Sequence, residues 1–342
     1  MDRIAQSSPV DRADLFQRAA GVGDPVRAPQ IIEKDFWVCW ALRRLFEVMR
    51  FRPQLIFKGG TSLSKVYNAI ERFSEDVDLS LSRRDLGFTD DRDPEQPGVS
   101  KKEARRRLDD LVAGCRQVIR DRLLLELRTD FASVIGREGW NVELDAGDPQ
   151  TVVFTYPRSG LDYGLGTYIH PAIRLEMGAR SDDWPAADRV IRPYAAEVFP
   201  QVFTVAATCC VHTLDAMRTF WEKATLLHAE THRPPDKPCR ERLSRHYYDL
   251  YRLSQQAIGR EALVRRDLLA RVIKHKSFFF AQSWAHYETA KPGTFRLLPS
   301  AERLESLRAD YAAMKPMVFG DPPDWTAITQ GLTQLEKEIN TP

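Results

Sequence analysis

The chain has 342 residues, of which 43% are apolar and 29% are charged, and its formal net charge is +2. This length exceeds what one compact core normally holds, so two domains, or one domain with a large helical annex, are expected. The chain has no run of about 18 apolar residues and no N-terminal basic stretch followed by an apolar block, which argues against a membrane span and a signal peptide. Five cysteines without a CxxC pair favour a reducing cytoplasm and argue against a zinc site.

The first half of the chain alternates helix and strand signals. Apolar residues at spacings of three and four predict helices, and short runs that are apolar throughout or alternate with polar residues predict strands. Gly, Pro and Asp cluster in the predicted turns and loops. The elements predicted here are, in chain order, a helix and loop within 1–30, helix 31–50 ended by Pro53, strand 55–57, helix 62–70, strand 76–81, loop 83–100, helix 101–127, and strands 141–144, 151–156 and 172–177.

The second half is predicted to be helical from about Thr204 onward, with breaks at two proline-containing loops. No internal repeat is evident. These patterns predict an α+β protein with an N-terminal α/β domain over residues 1–200 and a C-terminal helical domain over 201–342.

Two aspartates on the strand predicted at 76–81 are the first candidates for a catalytic site. Asp76 and Asp78 share one strand face because successive side chains alternate, and their Cα atoms are expected about 6.5–7 Å apart. Such carboxylates can converge on one hard cation or bridge two. Mg²⁺ suits the pair because it takes one or two carboxylates and completes its shell with water and substrate phosphates.

A glycine pair stands between the strand at 55–57 and the helix that follows it, in Lys58-Gly59-Gly60-Thr61-Ser62. Glycines let backbone amides approach a triphosphate, and the N-terminus of a helix favours the same anion. A GG turn or two alternating aspartates alone would be a weak signal. Both together, in a strand–turn–helix–strand context, predict nucleotide and metal binding.

Three later residues extend the candidate site. Glu176 is expected to supply a third carboxylate from a neighbouring strand, since phosphoryl transfer benefits from a second metal ligand and a base; the alternative is an edge-strand salt bridge with Arg174. Lys223 could reach a phosphate, or its stem could lie along a core face with only its charge extended. Asp249 could orient Lys223 or a base, or have a plain structural role.

Two basic segments could hold nucleic acid despite the small net charge. The first is Lys101–Arg107 and the second is Arg233–Arg245, which is also rich in proline. Each could equally be a solvated helix face. Beside the second segment, Tyr247 could stack on splayed RNA bases or lie in the helical core.

Several segments of the chain together resemble the AbiEii/AbiGii toxin family, which is similar to the mycobacterial MenT toxins. They occur in the family's order from about residue 30 to beyond 297, and the main ones are IIEKDFWVCWALRRLF, FKGGTSLSKVYNAIERFSEDVDLSL, RLEMGAR, FWEKATLLH and RHYYDLYRL. The resemblance implies a polymerase-beta-like nucleotidyltransferase fold. It also implies the toxin half of a type IV toxin–antitoxin or phage-defence system, with a cognate antitoxin as partner.

The resemblance also assigns roles to the candidate residues. They are Gly59, Gly60 and Ser74 for the nucleoside triphosphate (NTP), Asp76 and Asp78 for Mg²⁺ or Mn²⁺, Lys223 for phosphate, and Asp249 to complete the site. The acceptor that it implies is RNA, a tRNA 3′ end first. A protein or small-molecule acceptor, and a non-catalytic nucleotide-binding scaffold, are the alternatives.

Overall fold

The structure is a computed structural model, and it describes residues 1–50, 54–163, 170–203 and 207–341. Its internal contacts divide the chain into two compact units. Unit 1 consists of Met1–Val66 and Phe73–Thr213, and unit 2 of Tyr67–Arg72 and Leu214–Pro342. The α+β class expected from the sequence is confirmed. The division at residue 200 stays a prediction.

Unit 1 is built on a mixed β-sheet. Its strands are β1 (Leu55–Lys58), β2 (Asp76–Leu81), β3 (Asn141–Leu144), β4 (Thr151–Thr155), β5 (Ala172–Gly178), β6 (Ala186–Ile191) and β7 (Cys209–Leu214). Within the described residues they form one sheet in the order β3-β4-β5-β2-β1-β7-β6. β2 pairs antiparallel with β1 and parallel with β5, so the predicted acidic strand lies inside the sheet.

The helices of unit 1 supply much of its core. They are α1 (Asp2–Ala5), α2 (Pro9–Val22), α3 (Pro29–Arg43), α4 (Gly59–Lys65), α5 (Lys101–Val118), α6 (Leu124–Ile135) and α7 (Tyr194–Val198). Every residue of α3 from Ile31 to Leu42 is buried, as expected of a helix covered on all sides. Trp37 of α3 stacks on Tyr156 with 5.8 Å between ring centroids, and Trp40 packs on Phe131.

Several predicted boundaries in unit 1 differ from the observed ones. The helix predicted at 31–50 changes after Arg43 into a π-helical turn over Arg44–Val48, and Pro53 lies outside the described residues. The helix predicted at 62–70 begins earlier, at Gly59. The helix predicted at 101–127 continues to Ile135 through a π-helical turn at Ile119–Leu123.

Two strands were missed. β6 lies at an edge of the sheet and exposes most of its residues, so it lacks the apolar alternation that marks a strand. β7 falls where the helical half was expected to have begun, although Thr204 itself lies outside the described residues. Its buried Cys209, Val211 and Thr213 alternate with exposed Cys210 and His212, which is a strand pattern.

Unit 2 is helical. Its helices are α8 (Ala216–Thr231), α9 (Ser244–Ser254), α10 (Ala257–Val264), α11 (Arg266–Phe279), α12 (Ala301–Met314) and α13 (Trp325–Asn340). α8 and α9 lie at its centre and expose almost none of Trp221, Tyr247 and Tyr248. Tyr247 therefore belongs to the core, and the expectation that it stacks on RNA bases is wrong.

No helix in the described part of the chain is both long and apolar enough to cross a membrane.

The buried His228 of α8 makes the stability of the chain depend on pH. Its Nδ1 accepts from the Arg296 amide at 3.0 Å, so the proton lies on Nε2, which is 3.0 Å from the Thr289 hydroxyl. Burial, reinforced by His232, lowers the pKa of His228 to about 4. A histidine in an unfolded chain has a pKa of about 6.5. Between about pH 4 and 6.5 the unfolded chain therefore binds more protons at this histidine than the folded chain does. Stability should fall as the pH falls through this window, by up to about 1.4 kcal/mol per pH unit from this group.

Urea unfolding of the full chain between pH 7 and 4.5 measures this decline. His228→Asn removes the titrating ring but can keep an acceptor for the Arg296 amide, so its stability should fall less steeply with acidification. Equal slopes for both proteins would show that other groups govern the acid sensitivity.

Candidate active site

The two candidate metal-binding aspartates lie on β2, where register sets their neighbours. Lys58 of β1 is the Cα partner of Asp78 on one side, and Glu176 of β5 is its partner on the other. Residues paired in register share a face of the sheet. Lys58, Asp78 and Glu176 therefore lie side by side, with Asp76 on the same face two residues before Asp78. The neighbouring strand that was expected to carry a third carboxylate is β5.

Arg174 is the cation next to these acids. Its Nη1 lies 2.7 Å from Asp145 Oδ2, whereas its Nε lies 3.9 Å from Asp76 Oδ1 and 4.0 Å from Glu176 Oε1. The hydrogen bond with Asp145 raises the pKa of Arg174, so the guanidinium keeps its charge. β5 is an interior strand, and the closest ion pair of Arg174 is with Asp145. The alternative reading of Glu176 as an edge-strand partner of Arg174 is therefore only weakly supported.

Gly59 allows the turn before α4 to approach β2 closely. Its φ is +75°, and a Cβ added there would stand 1.8 Å from Asp78 Oδ2 and 2.6 Å from Asp78 Cγ. A side chain and the Asp78 carboxylate cannot occupy this space together. The glycine is thus required both by its backbone conformation and by the position of the aspartate.

Gly60, Thr61 and Ser62, which were also predicted to bind nucleotide, follow Gly59 in α4. Thr61 Oγ1 donates a hydrogen bond to the Asp76 carbonyl, and Ser62 Oγ donates to the Gly59 carbonyl at 2.9 Å. Both hydroxyls are buried, as are Gly60 and the side chain of Ser74 just before β2. The Thr61 hydroxyl thus links the start of α4 to the acidic strand, whereas the Ser62 hydroxyl bonds within α4.

The donor set of this face fits a hard divalent cation. The half-buried Asp78 side chain has no hydrogen-bond or ion-pair partner among the described residues, although a carboxylate at such a place normally finds one. Asp76 adds a second carboxylate on the same face. Over the described ranges, however, no three His, Cys, Asp or Glu side chains form a group that could hold a metal ion. Asp76 and Asp78 are thus the better-supported ligands, and the structure does not draw Glu176 into a three-residue cluster.

Lys223 and Asp249, the predicted residues of unit 2, are in direct contact. Lys223 Nζ lies 2.8 Å from Asp249 Oδ2. Arg72 donates to both oxygens of Asp249, from Nε at 2.7 Å and from an Nη at 2.8 Å. His246 Nδ1 lies 3.3 Å from Lys223 Nζ. Asp249 is fully buried, and Arg72 and Lys223 nearly so.

Burial and the neighbouring charges explain the pKa shifts of Asp249, Lys223 and His246. Burial alone would raise the pKa of Asp249, but Arg72 and Lys223 hold it far below its ordinary value, so the carboxylate stays ionised. Burial lowers the pKa of Lys223 against the opposing pull of Asp249. Burial, followed by Lys223, lowers the pKa of His246 well below its usual value. A neutral His246 can accept a hydrogen bond from the Lys223 ammonium through Nδ1.

The sequence did not predict that Arg72 and His246 belong to the cluster of Lys223 and Asp249. Both lie within motifs that were singled out, Arg72 two residues before Ser74 and His246 three before Asp249. An arginine embedded in the apolar context of Ile70 and Phe73 was a signal that a buried counter-charge should exist. The partner itself could not be identified, because Asp249 lies 177 residues away.

Several arginines of the two basic segments form ion pairs with neighbouring acidic residues. In the first, Arg106 and Arg107 pair with Glu103, and Arg106 also pairs with Asp110. In the second, Arg240 Nε lies 3.0 Å from Glu230. These pairs favour the reading of both segments as ordinary helix and loop surface.

A protein-family model described as the nucleotidyl transferase AbiEii toxin of type IV toxin–antitoxin systems matches residues 40–331. This match covers most of the chain and confirms the resemblance seen in the motifs. The chain belongs to the AbiEii family. It is a nucleotidyltransferase toxin, for which the family implies an NTP substrate and an antitoxin partner.

Among solved structures, MenT4, a nucleotidyltransferase toxin from Mycobacterium tuberculosis H37Rv, is similar to this AbiEii-family chain. The TM-score is 0.43 and the identity 16%, over 96% of this chain and 97% of that one. A search of curated proteins finds no match. The family assignment therefore rests on the sequence match.

Gly59→Ala should damage this AbiEii-family toxin through Asp78 rather than through the fold. The new Cβ would displace the carboxylate, and a shift of about 1 Å in a reacting group can cost on the order of 10²-fold in rate. The cost of a positive φ for alanine is only about 1–2 kcal/mol. Nucleotide-transfer rate and thermal midpoint should be measured together.

Gly136→Ala is the matched control. Gly136 also has a φ of +75°, but nothing lies within 4 Å of a Cβ added there. It should lose stability, because its backbone conformation is unfavourable for alanine, and keep its transfer rate. Equal rates for the two variants would contradict the importance of the approach between Gly59 and Asp78.

Proposed function

We propose that this toxin transfers a nucleotide from an NTP to the 3′ end of a tRNA, in a reaction that requires Mg²⁺ or Mn²⁺. An acceptor hydroxyl attacks the α-phosphorus and pyrophosphate leaves. The observation that carries the metal requirement is the acidic face of β2, where Asp78 lacks a hydrogen-bond or ion-pair partner among the described residues and Gly59 places no side chain of its own against the carboxylate. The tRNA acceptor rests on the resemblance of the sequence motifs to the AbiEii/AbiGii family, which is similar to the MenT toxins.

Within unit 1, each residue of the proposed site has a distinct task. Asp76 and Asp78 would hold the cation, and the Gly59-Gly60 turn would let the triphosphate approach the backbone at the start of α4. The chemistry supplied by bound Mg²⁺ or Mn²⁺ would be the neutralisation of charge on the phosphates. Thr61 and Ser62 keep the turn in place through their hydrogen bonds to the backbone. Glu176, in register with Asp78, is the candidate for a further ligand or a base.

The direct test is to incubate the full chain with each α-labelled NTP, Mg²⁺ and total tRNA, and to follow the label. We expect labelled tRNA, with the label lost when the 3′ end is removed. Asp76→Asn and Asp78→Asn should abolish transfer while the proteins stay folded, because each removes a proposed metal ligand without changing side-chain size.

Transfer at near wild-type rate by either variant would contradict the metal assignment. A labelled protein band without labelled RNA would instead support a protein acceptor and rule out the tRNA proposal. A requirement for neither Mg²⁺ nor Mn²⁺ after treatment with a chelator would remove the cation from the scheme.

In unit 2, we propose that Lys223 binds phosphate and that Asp249 holds its ammonium. Arg72 keeps Asp249 neutralised through two hydrogen bonds, so the carboxylate stays paired whether or not Lys223 engages an anion. Lys223→Ala should lower the transfer rate on the order of 10²-fold, the scale for loss of a preformed donor to a developing negative charge. Lys223→Arg should restore only part of it, since a planar fork replaces a compact ammonium.

The rate should be compared with the thermal midpoint of each Lys223 variant. A fully active Lys223→Ala protein would show that the lysine serves only to neutralise Asp249. The phage-defence role, the cytoplasmic location and direct binding of the antitoxin stay predictions, which expression together with the neighbouring gene can test.

A further inference from the structure

Helix α3 carries three consecutive charged residues, and all three are buried. Glu33, Lys34 and Asp35 are exposed to 0%, 2% and 1%. Isolated buried charges are strongly unfavourable, so each must have a partner. Lys34 finds Glu75, with 3.0 Å between Nζ and Oε1. Both side chains of this pair are buried, with 2% and 7% exposure.

Glu75 stands at the entry to the acidic strand. It lies between Ser74, a proposed nucleotide-binding residue, and Asp76, a proposed metal ligand. The Lys34 ammonium also lies 5.8 Å from the centroid of the Phe73 ring, within the range of a cation–π contact. One ammonium from α3 therefore contacts both residues that flank Ser74.

Stability alone does not account for this ion pair. The cost of desolvating two charges offsets their attraction, and well-packed apolar residues of similar volume often stabilise a fold as well or better. An ion pair adds direction, because the ammonium holds the carboxylate oxygen at hydrogen-bond distance. By holding the Glu75 carboxylate in place, the Lys34 ammonium restrains the backbone directly before Asp76.

We propose that Lys34 is a positioning residue that, through Glu75 and Phe73, fixes the segment presenting Ser74 and Asp76. It thereby sets the affinity of the acidic face for a divalent cation. This inference rests on the proposed function and deepens it, since it names a residue on another element that prepares the metal-binding strand.

The test measures Mn²⁺ binding to the full chain without nucleotide, by electron paramagnetic resonance, beside kcat and KM for the NTP. Lys34→Met should weaken Mn²⁺ binding and lower kcat by about 10- to 100-fold, the scale for losing a group that orients a metal ligand. Lys34→Arg should restore most of both, because a guanidinium can still donate to Glu75.

Glu75→Gln is a second variant that keeps the shape of the pair. It tests the proposal even if Lys34→Met fails to fold. Its amide oxygen can still accept from Lys34 but without charge, so Mn²⁺ binding should weaken by a few-fold. The double variant should bind Mn²⁺ no more weakly than Lys34→Met alone, because two changes in one interaction are not additive.

Asp130→Asn is the matched control. It breaks another ion pair of unit 1, in which Arg44 donates from Nε to Asp130 at 2.6 Å, with side chains 7% and 11% exposed. Neither residue borders the Ser74–Asp78 segment in the chain. Asp130→Asn should lower the thermal midpoint yet keep wild-type Mn²⁺ binding and kcat.

Two further outcomes separate this inference from the proposed function. If Asp78→Asn loses Mn²⁺ binding while Lys34→Met binds like the Asp130→Asn control, the positioning role of Lys34 is overturned and the metal site stands. If Asp78→Asn binds Mn²⁺ as the wild type does, the metal site itself is overturned, and the inference with it.

Discussion

The space beside the Asp78 carboxylate is shared with the backbone of Gly59, and this constraint organises the candidate active site. A side chain at position 59 would stand 1.8 Å from Asp78 Oδ2, so the identities of the two residues are coupled. The turn can therefore begin α4 immediately after β1, against the acidic strand. Thr61 then links that turn to the Asp76 carbonyl. A strand, a turn and a helix are thus brought together around one carboxylate.

The two candidate acids Asp249 of unit 2 and Asp78 of unit 1 differ in whether a cation of the protein already neutralises them. In unit 2, Asp249 is held by Arg72 and Lys223, which keep it ionised despite complete burial. In unit 1, Asp78 has no such partner among the described residues. A carboxylate with two cations is committed to its own structure, whereas one without a cation can accept one from outside. This contrast is why metal binding is proposed for β2 and not for Asp249.

Local sequence patterns predicted the elements and turns that depend on residues close together in the chain. The alternation over 76–81 gave the acidic strand, and the Gly pair marked the turn that the structure has at Gly59. Edge strand β6 was not predicted because most of its residues are exposed, so it lacks the alternation of apolar and polar residues that indicates a strand. The core position of Tyr247 and the pairing of Arg72 with Asp249 escaped because both depend on tertiary packing. Exposed and buried faces of a helix can carry the same aromatic residues. The periodicity of a sequence also cannot identify an ion-pair partner that lies 177 residues away.

Helix α3 shows how the fold of unit 1 and its proposed chemistry depend on the same element. Its three buried charges reach three separate segments: Glu33 accepts from the Ser159 amide, Lys34 donates to Glu75, and Asp35 pairs with Lys65 of α4. One of those segments is the entry to β2, and another is α4, the helix that begins at Gly59. A helix that only filled the core would have no need of charges at these positions. Directional pairs therefore tie α3 both to the entry of the strand that carries Asp76 and Asp78 and to the helix that begins at Gly59.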